Sequence, residues 1–150
     1  MKKVCLISSS GGHFEQLLRL SRLDKDYSVY YVTERTPYSV DKKDTHYVKQ
    51  INRKEKFLLI NIFLLFVQSL KIFIKEKPDV IISTGALCVI PSFLIGKLFH
   101  KKLIFIESFA KIKTPTKTGR LIYKISDVFI VQWKSMLKYY PNAVYLGSIY

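Results

Sequence analysis

The chain has 150 residues, room for one sizeable core, and its 49% hydrophobic and 14% aromatic content with six Gly and five Pro excludes a disordered or fibrous chain. Twenty-five Lys and Arg against eleven Asp and Glu leave a formal charge of +14, which draws the protein toward polyanions, acidic lipid surfaces or phosphorylated substrates without choosing among them. The two cysteines, Cys5 and Cys88, stand far apart with no Cys-x-x-Cys or Cys/His spacing, so they signal neither a zinc site nor a disulfide framework and read as buried, reduced, cytosolic thiols.

The amino terminus runs Met1-Lys2-Lys3 into an apolar stretch shorter than the roughly 7 to 15 residues of a signal-peptide core, which predicts a first strand over 4–8 and no targeting sequence. Ser8-Ser9-Ser10-Gly11-Gly12-His13 follows, and then Phe14, Leu17, Leu18 and Leu20 recur at helical spacing as far as Leu23. The pattern is strand, glycine turn, helix. A second strand is expected over 28–32, a polar loop over 33–44 and a weak third strand over 46–48. Residues 52–75 form the longest helical candidate, closed by Lys77-Pro78-Asp79, and the apolar run 80–83 suits a strand buried on both faces of a parallel sheet. Thr84-Gly85 makes the next turn; a helix over 86–99 carries Pro91 near its start, and a strand over 103–106 ends at Glu107. Beyond a basic loop over 111–118 come a short helix over 119–125, a strand over 128–131, a helical turn over 134–139 and a last strand over 143–146. This alternation predicts one α/β domain over 1–150, a Rossmann-like, doubly wound, mostly parallel sheet.

In open parallel sheets, ligands bind at the carboxyl ends of the strands. Four polar clusters fall there: residues 8–13, Ser83-Thr84-Gly85, Glu107-Ser108 and Gln132-Trp133. The first suits a phosphate, yet it is neither Gly-x-Gly-x-x-Gly nor Gly-x-x-x-x-Gly-Lys-Ser/Thr, so neither a dinucleotide fold nor a P-loop is supported. His13 reads either as a base or hydrogen-bond donor to a ligand, or as a helix-capping histidine. Glu107, at the end of a buried strand, must be hydrated, paired or used. Lys111, Lys113, Lys117 and Arg120 follow, suited to clamping a diphosphate or to forming a solvated basic loop. No metal or cofactor is expected.

On 52–75 the polar positions Lys54, Asn61, Gln68, Lys71 and Lys75 make one narrow stripe, and almost everything else between Phe57 and Ile74 is Leu, Ile, Phe or Val. A helix covering a sheet needs an apolar face only a little over 100° wide, so a surplus remains. With Arg53, Lys54, Lys56, Lys71, Lys75 and Lys77 bracketing it, the segment from about 54 to 75 reads as an interfacial, monotopic membrane attachment through Phe57, Leu58, Ile62, Phe63, Leu65 and Phe66.

Taken in order, Ser9-Ser10-Gly11-Gly12-His13, Ser83-Thr84-Gly85 with Pro91, Glu107-Ser108-Phe109-Ala110-Lys111, Thr118-Gly119, Phe129-Ile130-Val131-Gln132-Trp133, Tyr140-Pro141 and Leu146-Gly147-Ser148-Ile149-Tyr150 resemble the Alg-fourteen-like oligosaccharide biosynthesis family, with its bacterial capsule and exopolysaccharide members. The resemblance implies the acceptor-side, amino-terminal half of a GT-B glycosyltransferase: a membrane subunit on the cytoplasmic face that binds an undecaprenyl-type lipid-diphosphate sugar acceptor and activates a separate catalytic subunit holding the UDP-sugar. It further implies that Ser10, Gly11, Gly12, Ser83, Thr84, Gly85, Ser108 and Lys111 hold acceptor or phosphate, that His13 or Glu107 is the base, and that Trp133, Tyr140, Tyr145 and Tyr150 dock the partner. Two departures stand out: no amino-terminal spanning helix like that of eukaryotic members is expected, and Lys111 stands where the family often has Arg. Two rival readings are a nucleic-acid-binding module, suggested only by charge, and a stand-alone flavodoxin-like protein binding a phosphate-bearing cofactor.

Overall fold

A computed structural model describes residues 1–37, 39, 43–51 and 56–149. Seven strands, β1 (Lys3–Ser8), β2 (Ser28–Arg35), β3 (Thr45–Lys49), β4 (Val80–Gly85), β5 (Lys102–Ile106), β6 (Val128–Val131) and β7 (Val144–Tyr145), form one sheet in the order β3-β2-β1-β4-β5-β6-β7. Every neighbouring pair is parallel, so the expected mostly parallel, doubly wound Rossmann-like sheet is parallel throughout. The central strands are apolar on both faces because helices cover both. Helix α1 (Gly12–Leu18) packs with Val4, Leu6, Tyr31, Ile82 and Ile106 on one face. Helices α2 (Leu58–Glu76), α3 (Val89–Leu98) and α4 (Lys117–Ile122) cover the other, over Cys5, Ile7, Tyr30, Ile81, Leu103 and Phe129. Cys5 and Cys88 are free thiols inside this layer, and burial raises the Cys5 thiol to about 12.

Several boundaries differ from expectation for local reasons. Strand β2 runs on through Thr33 and Glu34, both buried, so two polar residues taken for loop belong to the sheet. Helix α1 ends at Leu18, and Leu23 reaches the core from a separate 3-10 turn, Ser21–Lys25. Helix α3 starts at Val89 because Ala86 has φ 98, outside any helix, and Pro91 then sits in the first turn, where a missing N–H costs nothing.

Helix α2 is built inside out. Asn61, Leu65, Ser69 and Phe73 are its buried residues, at four-residue spacing, so two polar side chains face the protein. Lys49 from β3 meets the first of them: its Nζ donates to Asn61 Oδ1 at 2.9 Å, and its backbone N donates to the exposed Gln68 Oε1 at 3.1 Å. Leu59 at 82% and Phe63 at 66% exposure point away from the protein, joined by Phe57, Ile60, Leu64 and Ile74. Two expectations are corrected here. Leu65 is core, not membrane surface, and Leu58, Ile62 and Phe66 are half-buried against the core. By length and composition alone, α2 is apolar enough to cross a bilayer. Residues 52–55, where the helix was expected to begin, lie outside the described residues.

Candidate functional site

In this strand order the winding reverses between β1 and β4, and the crevice outside their carboxyl ends is where such folds bind ligands. A register shift after Ile7 sets Ser8 against Gly85 there, bringing the first two polar clusters side by side. Gly11 (φ 79) and Gly85 (φ 119) take backbone conformations that side chains resist. A Cβ on Gly85 would also stand 3.2 Å from His13 Cε1. Ala86 (φ 98) carries the strain of the same turn without being glycine, a pattern that clusters at functional sites.

His13 is locked into this corner. Its carbonyl accepts the Thr84 hydroxyl at 2.7 Å, and its Nδ1 is buried with no hydrogen-bond partner among the described residues. Burial pushes the imidazole below its ordinary value, opposed by the nearby Thr84 backbone and by the charge of Glu107, so the ring is neutral near pH 7 and able to take a proton. Thr84 and Ser83 are fully buried, and Ser83 Oγ accepts the Gly85 N–H at 3.0 Å. Both side chains hold the turn and are closed to a phosphate, which corrects their expected ligand role.

Glu107 is corrected as well. It is 1% exposed and its carboxylate is saturated: Oε1 accepts the Ser108 N–H and the Thr116 hydroxyl, both at 2.9 Å, and Oε2 accepts the Tyr140 hydroxyl at 2.7 Å and the Thr116 N–H at 3.2 Å. Thr116 in turn caps α4 by accepting the Gly119 N–H at 2.7 Å. A carboxylate so occupied is a structural anchor for the 108–116 loop and has no lone pair free to act as base. Tyr140, expected at a partner surface, is 1% exposed in the core, its phenol raised by burial and by the bond to Glu107. Trp133 is half-buried, donating its indole N–H to the Phe109 carbonyl at 2.7 Å. Tyr145 is exposed, and Tyr150 lies outside the described residues.

Ser10, Ser108 and Lys111 thus flank the crevice: Ser10 and Lys111 half-buried, Ser108 buried, and Lys111 N donating to Ser108 O at 3.0 Å. Two residues that sequence reasoning passed over organise the rim. Gln16, buried on α1, accepts from Gln132 Nε2 at 3.0 Å, and Gln132 Nε2 also donates to the Glu107 carbonyl at 2.9 Å. The only signal for Gln16 was an amide among Phe14, Leu17 and Leu18. The second, Glu34, is the buried penultimate residue of β2. By contrast, the hollow of about 400 Å³ lined by Lys3, Tyr30, His46 and Glu76 opens at the amino ends of the strands, away from this crevice.

The family described as "Oligosaccharide biosynthesis protein Alg14 like" matches residues 4–149. The UDP-N-acetylglucosamine transferase subunit ALG14 of Mus musculus is 26% identical over 98% of this chain and 82% of its own, and that of Homo sapiens is 28% identical over 97% and 82%. Among solved structures, Acinetobacter baumannii MurG superposes with a TM-score of 0.73 at 13% identity, over 90% of this chain and 43% of that one. The UDP-N-acetylglucosamine 2-epimerase of Rickettsia bellii gives 0.75 at 18%, over 99% and 45%. These two likenesses establish the fold, and this chain spans less than half the length of either structure. Matched over nearly its whole length, the chain belongs to the Alg14-like oligosaccharide biosynthesis family.

Proposed function

We propose that this protein is the membrane-associated, acceptor-side subunit of a two-chain glycosyltransferase. It holds a lipid-diphosphate-linked sugar and recruits a separate chain that binds the UDP-sugar, in the assembly of a capsular or exopolysaccharide repeat unit on an undecaprenyl-type carrier. Family membership supports the subunit role, since the relatives are named as subunits of a UDP-N-acetylglucosamine transferase. Alone, the chain is expected to transfer nothing.

The observation that carries the membrane half of this reading is the outward apolar face of α2. Exposing several large apolar side chains is unfavourable by about 1.5–3 kcal/mol each relative to burial. The exposed cluster Phe57, Leu59, Ile60, Phe63 and Leu64 lies at the amino-terminal end of α2. Helix α2 follows the parallel strand β3, so this end begins at the carboxyl edge of the sheet, as does the crevice holding His13. A carrier lipid in the bilayer therefore presents its diphosphate on the crevice side. Lys71, Lys75 and Lys77, further along α2 and just past it, favour an anionic membrane surface over nucleic acid as the target of the positive charge. Attachment is peripheral, on the cytoplasmic face.

Within the crevice, the roles divide by what each group has free. Neutral His13 takes the proton from the attacking acceptor hydroxyl. Ser10, Ser108, Lys111 and the peptide groups of Gly11 and Gly12 meet the diphosphate. Around Trp133 and Tyr145, the exposed residues Val144, Tyr145 and Leu146 offer the partner an apolar surface. Flotation on phosphatidylglycerol-containing liposomes tests the attachment: wild type floats, Phe63→Lys and Leu59→Lys stay at the bottom, and equal flotation of all three contradicts the reading.

A further inference from the structure

The loop that follows β5 has no ladder to satisfy its backbone, yet Glu107 and Ser108 at its start are buried. Side chains from other elements take the place of the ladder. Gln132, the residue after β6, donates through Nε2 to the Glu107 carbonyl at 2.9 Å. Gln16 of α1 accepts the Phe109 N–H at 3.5 Å, and Trp133 donates its indole N–H to the Phe109 carbonyl at 2.7 Å. The loop so held carries Ser108 and Lys111, and α1 carries His13 in its first turn, so these bonds join the two walls of the crevice.

Gln132 adds a third connection. It is 3% exposed; Nε2 also donates to Gln16 Oε1 at 3.0 Å, and Oε1 accepts the Ile149 N–H at 3.2 Å. Both amide hydrogens therefore meet oxygens and the amide oxygen meets a donor. Turned over, the amide would set its oxygen against two oxygens and its nitrogen against an N–H, so the network admits one orientation. Ile149 packs on the α1 face of the sheet and lies just past the exposed Val144, Tyr145 and Leu146. One buried amide thus links the surface offered to the partner with both walls of the crevice.

We propose that Gln132 is a positioning residue: it holds the loop after β5 against α1 and fastens both to the C-terminal segment, so that docking at 144–146 sets the loop that meets the acceptor. The last clause rests on the subunit reading above; the holding role does not.

Trp133 is the single tryptophan of the chain, and its ring lies 5.0 Å from that of Phe109, so its fluorescence reports whether the loop is in place. In the full chain, Gln16→Leu and Gln132→Glu each shift the emission to the red and increase quenching by acrylamide. Gln132→Glu turns an oxygen toward two acceptors, and Gln132→Met replaces it if that variant does not fold. Ile149→Pro deletes the N–H that Oε1 accepts and gives the same change. Ile149→Ala, which keeps that N–H, retains the wild-type spectrum, as does Gly96→Ala, whose Cβ strikes Ile81 and Leu103 instead. Unchanged emission in folded Gln16→Leu and Gln132 variants overturns the holding role. A spectrum of Ile149→Pro equal to that of Ile149→Ala overturns the link to the C-terminal segment. In sugar transfer with the UDP-sugar-binding chain added, Gln132→Glu and Ile149→Pro raise KM for a lipid-diphosphate acceptor about tenfold and leave KM for the UDP-sugar unchanged. An unchanged acceptor KM overturns the role at the crevice. A wild-type mixture that transfers nothing overturns the subunit reading and the clause resting on it, while the fluorescence comparison still judges the holding role.

Discussion

His13 and Glu107 differ in what their surroundings leave free. The imidazole has a buried nitrogen without a partner among the described residues, whereas the carboxylate has every oxygen engaged. Since burial lowers the folded-state pKa of His13, the unfolded chain takes up the proton first on acidification. Its contribution to stability is complete above the ordinary value of about 6.5 and is lost as pH falls through the depressed one. Melting temperature should therefore decline on the acid side in the wild type, and His13→Gln should flatten that part of the curve. Tyr140→Phe removes one donor from the Glu107 carboxylate and should cost about 1.5–3 kcal/mol in urea denaturation without altering the far-ultraviolet spectrum. That Glu107 must be hydrated, paired or used was legible from its place after an apolar strand, but which of the three was not. Its partners were not, because Thr116 and Tyr140 come from 9 and 33 residues further along the chain, and only the fold brings them in.

Among the elements, α3 and α2 depend on different kinds of fit. Gly96 lets α3 lie against the sheet: a Cβ there would stand 2.7 Å from both Ile81 Cδ1 and Leu103 Cδ2. Gly96→Ala should thus destabilise by about 1–3 kcal/mol, measured by chemical denaturation, although alanine is the better helix former. At Gly119 a Cβ would collide with the Glu107 carboxylate, the Thr116 hydroxyl and the Tyr140 hydroxyl together, so Gly119→Ala should cost more than Gly96→Ala by the same measurement. The excess apolar surface of α2 could be read from composition, but its orientation could not. Asn61 and Gln68 read as members of one narrow polar stripe, whereas Asn61 is buried and bonded to Lys49 of β3 while leucine and phenylalanine face outward. The short elements were harder still. Helix α1 broke at Leu18 because helical spacing of Leu20 and Leu23 is also met by a 3-10 turn.

At the scale of the molecule, alternating strand and helix signals were enough to foresee a doubly wound sheet, since parallel strands require covered crossovers. The reversal point between β1 and β4, which locates the crevice, emerges only from strand order. On the proposed function, that crevice, beside a helix whose apolar side faces outward, is a half-site at a bilayer surface, and half-sites need complements. The direct measurement is sugar transfer from a UDP-sugar to a lipid-diphosphate acceptor in membranes, with this chain alone, the separately encoded partner alone and the two mixed. The mixture should exceed the partner alone by at least tenfold while this chain alone gives no product, a difference of about 1.4 kcal/mol or more in barrier height. Transfer by this chain alone, at the rate of the mixture, would contradict the half-site.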